Sequence, residues 1–276
     1  MAKFFLSKEY DVLKPFKTNN LIRVGSKQDG GYIVDSKILD NFNTLISFGL
    51  GDGTNTTNLP WSFEDELLKK KEDLHIHVYD YTALPSSYYS RISKNLRRFL
   101  TFRATFEELK RSIICFLKYK NFINSKKVTL FKEKITYPIK DNIDSDIHKV
   151  FSRIKKDARI ILKCDIEGSE YDIINQIIEH ADRIEMLILE FHWIDKKKAI
   201  FLESIKKLNK NFYIIHIHGN NHSGVLEGGL PMVQEITLIN KKNYLDKIEY
   251  STDFPIKGLD YPCNPNIDDI SFSFEK

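Results

Sequence analysis

At 276 residues, 42% hydrophobic and 29% charged, the chain holds enough apolar material for one large core. No apolar run approaches the ~20 residues of a membrane span, and the opening Met1–Tyr10 lacks the long apolar stretch and cleavage site of a signal peptide, so a cytoplasmic protein is expected. Net charge is only +4, and Cys115, Cys164 and Cys263 are too widely spaced for a zinc motif or a disulfide framework.

Strand-like and helix-like runs alternate along the chain, the signature of a parallel sheet with crossover helices. Residues 1–43 precede the first strand as an N-terminal cap and carry Arg23-Val24-Gly25 and the turn Asp29-Gly30-Gly31-Tyr32. Thr44–Phe48 reads as the first strand and ends in Gly49-Leu50-Gly51-Asp52-Gly53. Ser62-Phe63-Glu64-Asp65 has the spacing of a capping box and opens a helix. His75–Tyr79 is the second strand, ending at Asp80. A basic helical insert follows over residues 83–127, with eleven Lys or Arg against Glu107 and Glu108, a local +9.

Val128–Phe131 is the third strand and Ile160–Leu162 the heart of a fourth, which closes in Asp165 and Glu167. Gly168 then turns the chain into a helix whose Ile173, Ile174, Ile177 and Ile178 form a packing stripe. Met186–Leu189 is the fifth strand, ending at Glu190-Phe191-His192-Trp193, and the next helix sets Ile200, Phe201, Ile205 and Leu208 on one face. Phe212–Ile217 and Val233–Ile239 are the last strands. The Gly219–Pro231 loop between them is too short for a crossover helix, so they pair antiparallel. Residues 44–250 thus form the main domain, and 251–276, with Pro255, Pro262 and Pro265, is expected to wrap over the surface.

Ligands of open α/β sheets bind at the carboxyl ends of strands, where glycines let the backbone turn tightly against them. Gly49, Gly51 and Gly53 stand there after the first strand, but Thr54 occupies the place of the dinucleotide fingerprint's third glycine. Asp80, ending the second strand, is placed to accept hydrogen bonds from ribose hydroxyls. A glycine turn with acids ending strands two and four indicates adenosine bound without a pyrophosphate, a description S-adenosylmethionine meets. The expected cofactor contacts are Tyr32, Gly49, Gly51, Asp52, Asp80, Tyr81 and Asp165.

The run Lys163-Cys-Asp165-Ile-Glu167-Gly168-Ser-Glu170-Tyr resembles the Lys-x-Asp-(Val/Ile)-Glu-Gly-x-Glu signature of FkbM-type methyltransferases. The resemblance extends to Arg23-Val-Gly25 with Asp29-Gly-Gly-Tyr32, Ser47-Phe-Gly-Leu-Gly51, Tyr79-Asp80-Tyr-Thr82, His216-Ile-His218-Gly-Asn-Asn221 and Leu259-Asp-Tyr-Pro262. The basic insert is its least matched part. It implies a class I methyltransferase (Rossmann-like) α/β fold: a seven-stranded, mostly parallel sheet with an antiparallel last strand and helices on both faces. It also implies O-methylation, often of sugars in polyketide, lipopolysaccharide or capsule biosynthesis.

Such a reaction needs an acceptor oxygen aligned with the methyl group and a proton removed. Asp165, His192, His216 and His218 are the catalytic candidates. The sixth strand is taken as the neighbour of the fifth, so all three histidines are expected to face the acceptor. An ordinary histidine pKa near 6.5 would make the rate rise between about pH 6 and 7.5. Asp165, Glu190 and His192 form an alternative divalent-metal site, of a mixed type that suits manganese or zinc better than magnesium, though a metal-free base is the main expectation. Arg97, Arg98 and Arg103 of the insert, with Asn220 and Asn221, are expected to hold a small acceptor bearing phosphate or carboxylate. A nucleic-acid polymer is not expected. Trp61 and Trp193 flank strand ends as candidate stacking residues. A nucleotide-sugar-binding oxidoreductase or glycosyltransferase, a non-enzymatic binding module, and assembly into a homo-oligomer stay open at this level.

Overall fold

A computed structural model describes residues 3–51, 59–243 and 249–274, so Asp52, Gly53 and Thr54 of the glycine turn lie outside the described residues. Seven strands form the central sheet: β1 (Thr44–Phe48), β2 (His75–Tyr79), β3 (Val128–Phe131), β4 (Ile160–Cys164), β5 (Ile184–Phe191), β6 (Phe212–Gly219) and β7 (Gln234–Asn240). Their order across the sheet is β6-β7-β5-β4-β1-β2-β3. Neighbours from β5 to β3 run parallel, and β7 runs antiparallel to both β5 and β6. This is the class I methyltransferase form of the Rossmann-like α/β sheet. One expectation fails here: β7 inserts between β5 and β6, so His216 and His218 sit two strands away from His192.

The strand pattern follows from burial on both faces. Every residue of β1, β4 and β5 is buried, and alternate side chains enter opposite layers as the pleat requires. Ile160, Leu162 and Cys164 of β4 pack with one apolar cluster, while Ile161 packs with the other. The first layer receives α4 (Glu170–Glu179) through Ile173, Ile174 and Ile177, and α5 (Ile194–Leu208) through Phe201, Ile205 and Leu208. Ile200, expected on the same face, is instead 51% exposed. The second layer receives α1 (Ser62–Lys70) and a hairpin of two long helices, α2 (Pro85–Leu100) and α3 (Phe106–Ile123), which fills the basic insert. Trp61 is fully buried between these elements, packed edge-on against Tyr88 and Tyr119, and so belongs to the core.

The two ends of the chain meet. Phe4–Leu6 pairs with Phe272–Phe274, which pairs in turn with Asp253–Phe254. Phe254, Phe272 and Phe274 are buried, so this part of the tail is packed into the core and does not wrap loosely over the surface. Nor does the expected capping box form: the Ser62 hydroxyl donates to the Gly30 carbonyl and accepts from the Ser26 amide, which binds the glycine turn of residues 25–31 to α1.

The register puts Phe48, Tyr79 and Cys164 level at the carboxyl edge. Gly49 leaves β1 with φ +77°, and a Cβ there would lie 1.7 Å from the Asp165 carbonyl oxygen. Gly258, with φ +86°, has open space around its Cβ position. Gly49→Ala should therefore lower stability by clearly more than the ~1–2 kcal/mol of a left-handed backbone alone, whereas Gly258→Ala should cost no more than that. Thermal unfolding checks the pair, and equal losses would contradict the close packing at Gly49.

Candidate active site

The turn after β1 is held from two sides. Asp80 Oδ2 accepts from the Leu50 and Gly51 amides at 2.8 and 3.2 Å, and Oδ1 accepts from the Thr82 amide, the Thr82 hydroxyl and the Ala83 amide at 2.6, 2.7 and 2.9 Å. Asp80 therefore uses both oxygens to join the turns after β1 and β2. On the other side, the buried Lys163 ammonium donates to the Gly49 carbonyl at 2.6 Å and lies 3.7 Å from Glu64 and 3.5 Å from Asp165. Burial works against the Lys163 charge, but Glu64, Asp165 and Glu190 outweigh it and hold the ammonium above its ordinary range. Glu64, itself fully buried, also accepts from Ser47 of β1 at 2.5 Å.

A cleft of about 620 Å³ opens over these turns. Its lining runs from Gly49, Gly51 and Tyr79–Thr82 past Glu133–Ile135 to Asp165–Glu167 and Ser169. Glu133 is fixed there by a bidentate pair with Arg153, both contacts 2.8 Å, which brings its carboxyl down to about 2. Arg97, Arg98 and Arg103 are not among the lining residues: Arg98 reaches the Arg103 carbonyl and lies 3.7 Å from Glu108 within the helical hairpin.

Beside the cleft, carboxylates from four places converge. Asp165 follows β4, Glu190 lies near the end of β5, Glu235 faces Glu190 in the β5–β7 register, and Asp29 comes from the N-terminal turn. Burial, then Asp165 and Glu235, push Glu190 well above the usual carboxylate range, and the same causes in the same order raise Asp29. The Tyr32 hydroxyl lies 3.3 Å from Asp165 Oδ2, and the Lys163 ammonium stands 5.6 Å from the Tyr32 ring centre. His192 Nδ1 lies 2.9 Å from Glu170, while Nε2 faces Glu167 at 3.6 Å and both Asp165 and Glu190 at 3.9 Å. Burial opposes its charge, but the Glu170 hydrogen bond and the nearby carboxylates prevail and raise His192 to about 10. Asn220 donates to Glu190 at 2.9 Å.

The sequence-derived residues thus divide. Tyr32, Gly49, Gly51, Asp80, Asp165, Glu190, His192 and Asn220 meet at one edge, and Tyr81 lines the cleft. His216 is buried against Asp260, and His218 lies between Glu235 and Asp269 with both ring nitrogens engaged. Although burial opposes it, hydrogen bonds to Asp269, Cys263 and Glu235 hold the His218 ring well above the ordinary histidine range. Neither ring is presented to an acceptor, because the chain's last segment covers them. Asn221 is likewise taken up by that segment, bonding the Asn264, Ile267 and Asp268 carbonyls and the Asn264 amide. A neutral-pH limb from His192 is also lost, since a ring with a pKa near 10 already carries its proton at pH 7.

Glu64, Lys163 and Glu170 organise this edge without having been singled out individually for a role. Lys163 and Glu170 lie within the Lys-x-Asp-x-Glu-Gly-x-Glu run, whereas Glu64 stands 99 residues from its partner and gives no local signal. The chain also carries an Asp-x-Asp triplet, Asp144-Ser145-Asp146. Asp144 accepts from the Lys140 and Asp141 amides and Asp146 caps the Ile147–Ser152 helix, so both acids have structural work. Trp193 is 48% exposed and packs on Gly168.

No protein-family model matches the chain, and no curated protein matches it. Solved structures similar to it include the bifunctional kinase-methyltransferase WbdD (11% identity, 80% of this chain and 37% of that one, TM-score 0.38). Others are the mitomycin 7-O-methyltransferase MmcR (12% identity, 72% and 49%, TM-score 0.31) and the small RNA methyltransferase HEN1 (17% identity, 78% and 25%, TM-score 0.33). The chain spans less than half the length of each of these three. The strand order and pairing of the sheet itself identify the fold.

The raised pKa of His192 has a definite sign. Its folded value, about 10, lies above the ordinary 6.5, so the stability it contributes is complete below about pH 6.5 and is lost as pH rises toward 10. NMR of labelled histidine should show no His192 titration between about pH 6 and 8. In Glu170→Gln the midpoint should fall by about one pH unit or more. A wild-type midpoint near neutrality would contradict the charged assignment.

Proposed function

We propose that the chain is an S-adenosylmethionine-dependent O-methyltransferase acting on a hydroxyl of a sugar or nucleotide-linked sugar, in the assembly of a surface polysaccharide such as capsule or lipopolysaccharide. The observation that carries this reading is the charge of the cleft. Asp80, Asp165 and Glu167 line it, with Glu133 paired to Arg153, against Lys134 as the one cation among the described lining residues. Such a wall favours a cationic sulfonium and disfavours the pyrophosphate of a nicotinamide or flavin dinucleotide. Its volume of about 620 Å³ suits a nucleoside-sized ligand, and Tyr79, Tyr81 and Ile135 give it apolar surface. The class I sheet supports the same reading by analogy of fold.

The bound cofactor supplies a methyl group on positively charged sulfur. Asp165, 27% exposed at the cleft edge, would meet the acceptor hydroxyl and take its proton as the oxygen–methyl bond forms and the methyl–sulfur bond breaks, leaving neutral S-adenosylhomocysteine. Tyr32 and Lys163 steady its Oδ2 from behind at 3.3 and 3.5 Å. His192, held by Glu170 and protonated, presents Nε2 between Asp165, Glu167 and Glu190, where it can donate to an acceptor oxygen and fix its direction. Glu190, buried with Asn220 on one oxygen, backs Asp165 and His192 from behind the cleft wall.

One observation supports a second version of this site. Ligand atoms of Asp165, Glu190 and His192 lie within 4.8 Å of one another, and His192 has the Glu170 hydrogen bond that usually orients a metal-bound imidazole. These three residues would hold a divalent ion, which would bind the acceptor oxygen and acidify it. Since His192 must then give up its proton, binding would tighten as pH rises.

Incubation with methyl-labelled S-adenosylmethionine and a panel of free and nucleotide-activated sugars tests the proposal. Methyl transfer to a sugar hydroxyl is expected, with Asp165→Asn reducing turnover by roughly 100-fold or more, the scale of lost acid–base catalysis. Loss of activity on chelation and recovery with added divalent ion would select the metal version. Near-normal turnover in Asp165→Asn would remove that residue from the chemistry.

A further inference from the structure

The hairpin of α2 and α3 carries a surface that the site does not use, since no residue of either helix lines the cleft. Its inward side is accounted for. Tyr88 stacks on Tyr119 with ring centres 4.2 Å apart, both pack on Trp61, and the Tyr119 hydroxyl donates to the Ala83 carbonyl. Its outward side is different. On α2, Tyr89, Leu96 and Leu100 are exposed at spacings of seven and four, which is one helical stripe. On α3, Phe106, Ile113 and Leu117 repeat the same spacings and are exposed as well. Between the helices, at the tip, Phe102 is 98% exposed.

The charge on this surface is one-sided. Lys94, Arg97, Arg103, Lys118 and Lys120 are exposed and have no carboxylate within ion-pair distance among the described residues. The hairpin's two acids are already engaged, Glu108 beside Arg98 and Glu107 beside Lys110. Exposed apolar stripes flanked by unpaired cations are the composition of an interfacial helix: the apolar residues enter the boundary between headgroups and acyl chains, and the cations meet lipid phosphates.

We propose that the α2–α3 hairpin docks the protein on an anionic phospholipid surface, with Phe102 at the point of entry. Charge complementarity selects this occupant. A two-fold interface with a second copy would press two segments of +9 against each other. A nucleic-acid backbone would leave Phe102, Leu100 and the two stripes in water. The inference is independent of the methyl-transfer reading, because the hairpin lies outside the cleft.

Co-sedimentation of the full chain with phosphatidylcholine vesicles, with and without phosphatidylglycerol, tests it. Binding should require the anionic lipid and weaken in ~0.5 M salt. Phe102→Ser should weaken binding about tenfold, the scale of burying one large apolar side chain, and Arg97→Gln or Arg103→Gln about fivefold each. All three residues are exposed, so unchanged circular dichroism should accompany the loss, and Phe102→Trp should report entry by a blue-shifted emission. A protein that stays in the supernatant with phosphatidylglycerol vesicles at low salt would overturn the proposal. So would binding indifferent to all three substitutions, or a concentration-dependent dimer that Phe102→Ser dissolves while vesicle binding is unchanged.

Discussion

The carboxyl edge of the sheet depends on one buried cation. Lys163 is 2% exposed, and an ammonium so placed is tolerable only while its partners are charged and in reach. Those partners tie three elements together: β1 through Gly49 at its end and, by way of Glu64, Ser47 within it, α1 through Glu64, and β4 through Asp165. Pulling the Gly49 carbonyl inward turns the next two amides toward Asp80, whose other oxygen secures the turn after β2. The shape of the cleft is therefore set by a buried ion-pair network more than by any loop's own preference. Removing one member of such a pair typically costs several kcal/mol.

Charge also explains why the acids beside the cleft behave differently from one another. Asp165 is partly exposed and has Lys163, Tyr32 and His192 around it, so it is the carboxylate positioned to face a ligand. Glu190 is buried behind it, close to Asp165 and Glu235, and is driven toward its neutral form. The protonated His192 moderates this repulsion from its seat on Glu170. A divalent ion held by Asp165, Glu190 and His192 would compete with the His192 proton to compensate this concentration of negative charge.

Much of this was legible in the sequence where the signal is local. Thr44–Phe48, His75–Tyr79 and Val128–Phe131 have the bounds their residues suggest, because each is a short β-rich run closed by Gly, Asp or a polar turn. The antiparallel final pair followed from a loop too short for a crossover. What could not be read were contacts made across long separations. His216 and His218 look catalytic on a strand, and only Asp260 and Asp269, 44 and 51 residues later, reveal them as anchors for the tail. Ser62 has a cap's spacing yet is claimed by the turn at Gly30. The charge of the basic insert suggested that Arg97, Arg98 and Arg103 hold the acceptor, whereas none of them is among the residues lining the cleft.

On this reading, the acid-lined cleft held open by Lys163 and Asp80 accepts an adenosine ligand without a pyrophosphate. Isothermal titration of the unmodified protein with S-adenosylhomocysteine tests it most directly, with NAD as the comparison. The account predicts saturable binding of S-adenosylhomocysteine at one site per chain and no competing heat from NAD. Saturable NAD binding with no response to S-adenosylhomocysteine would contradict it.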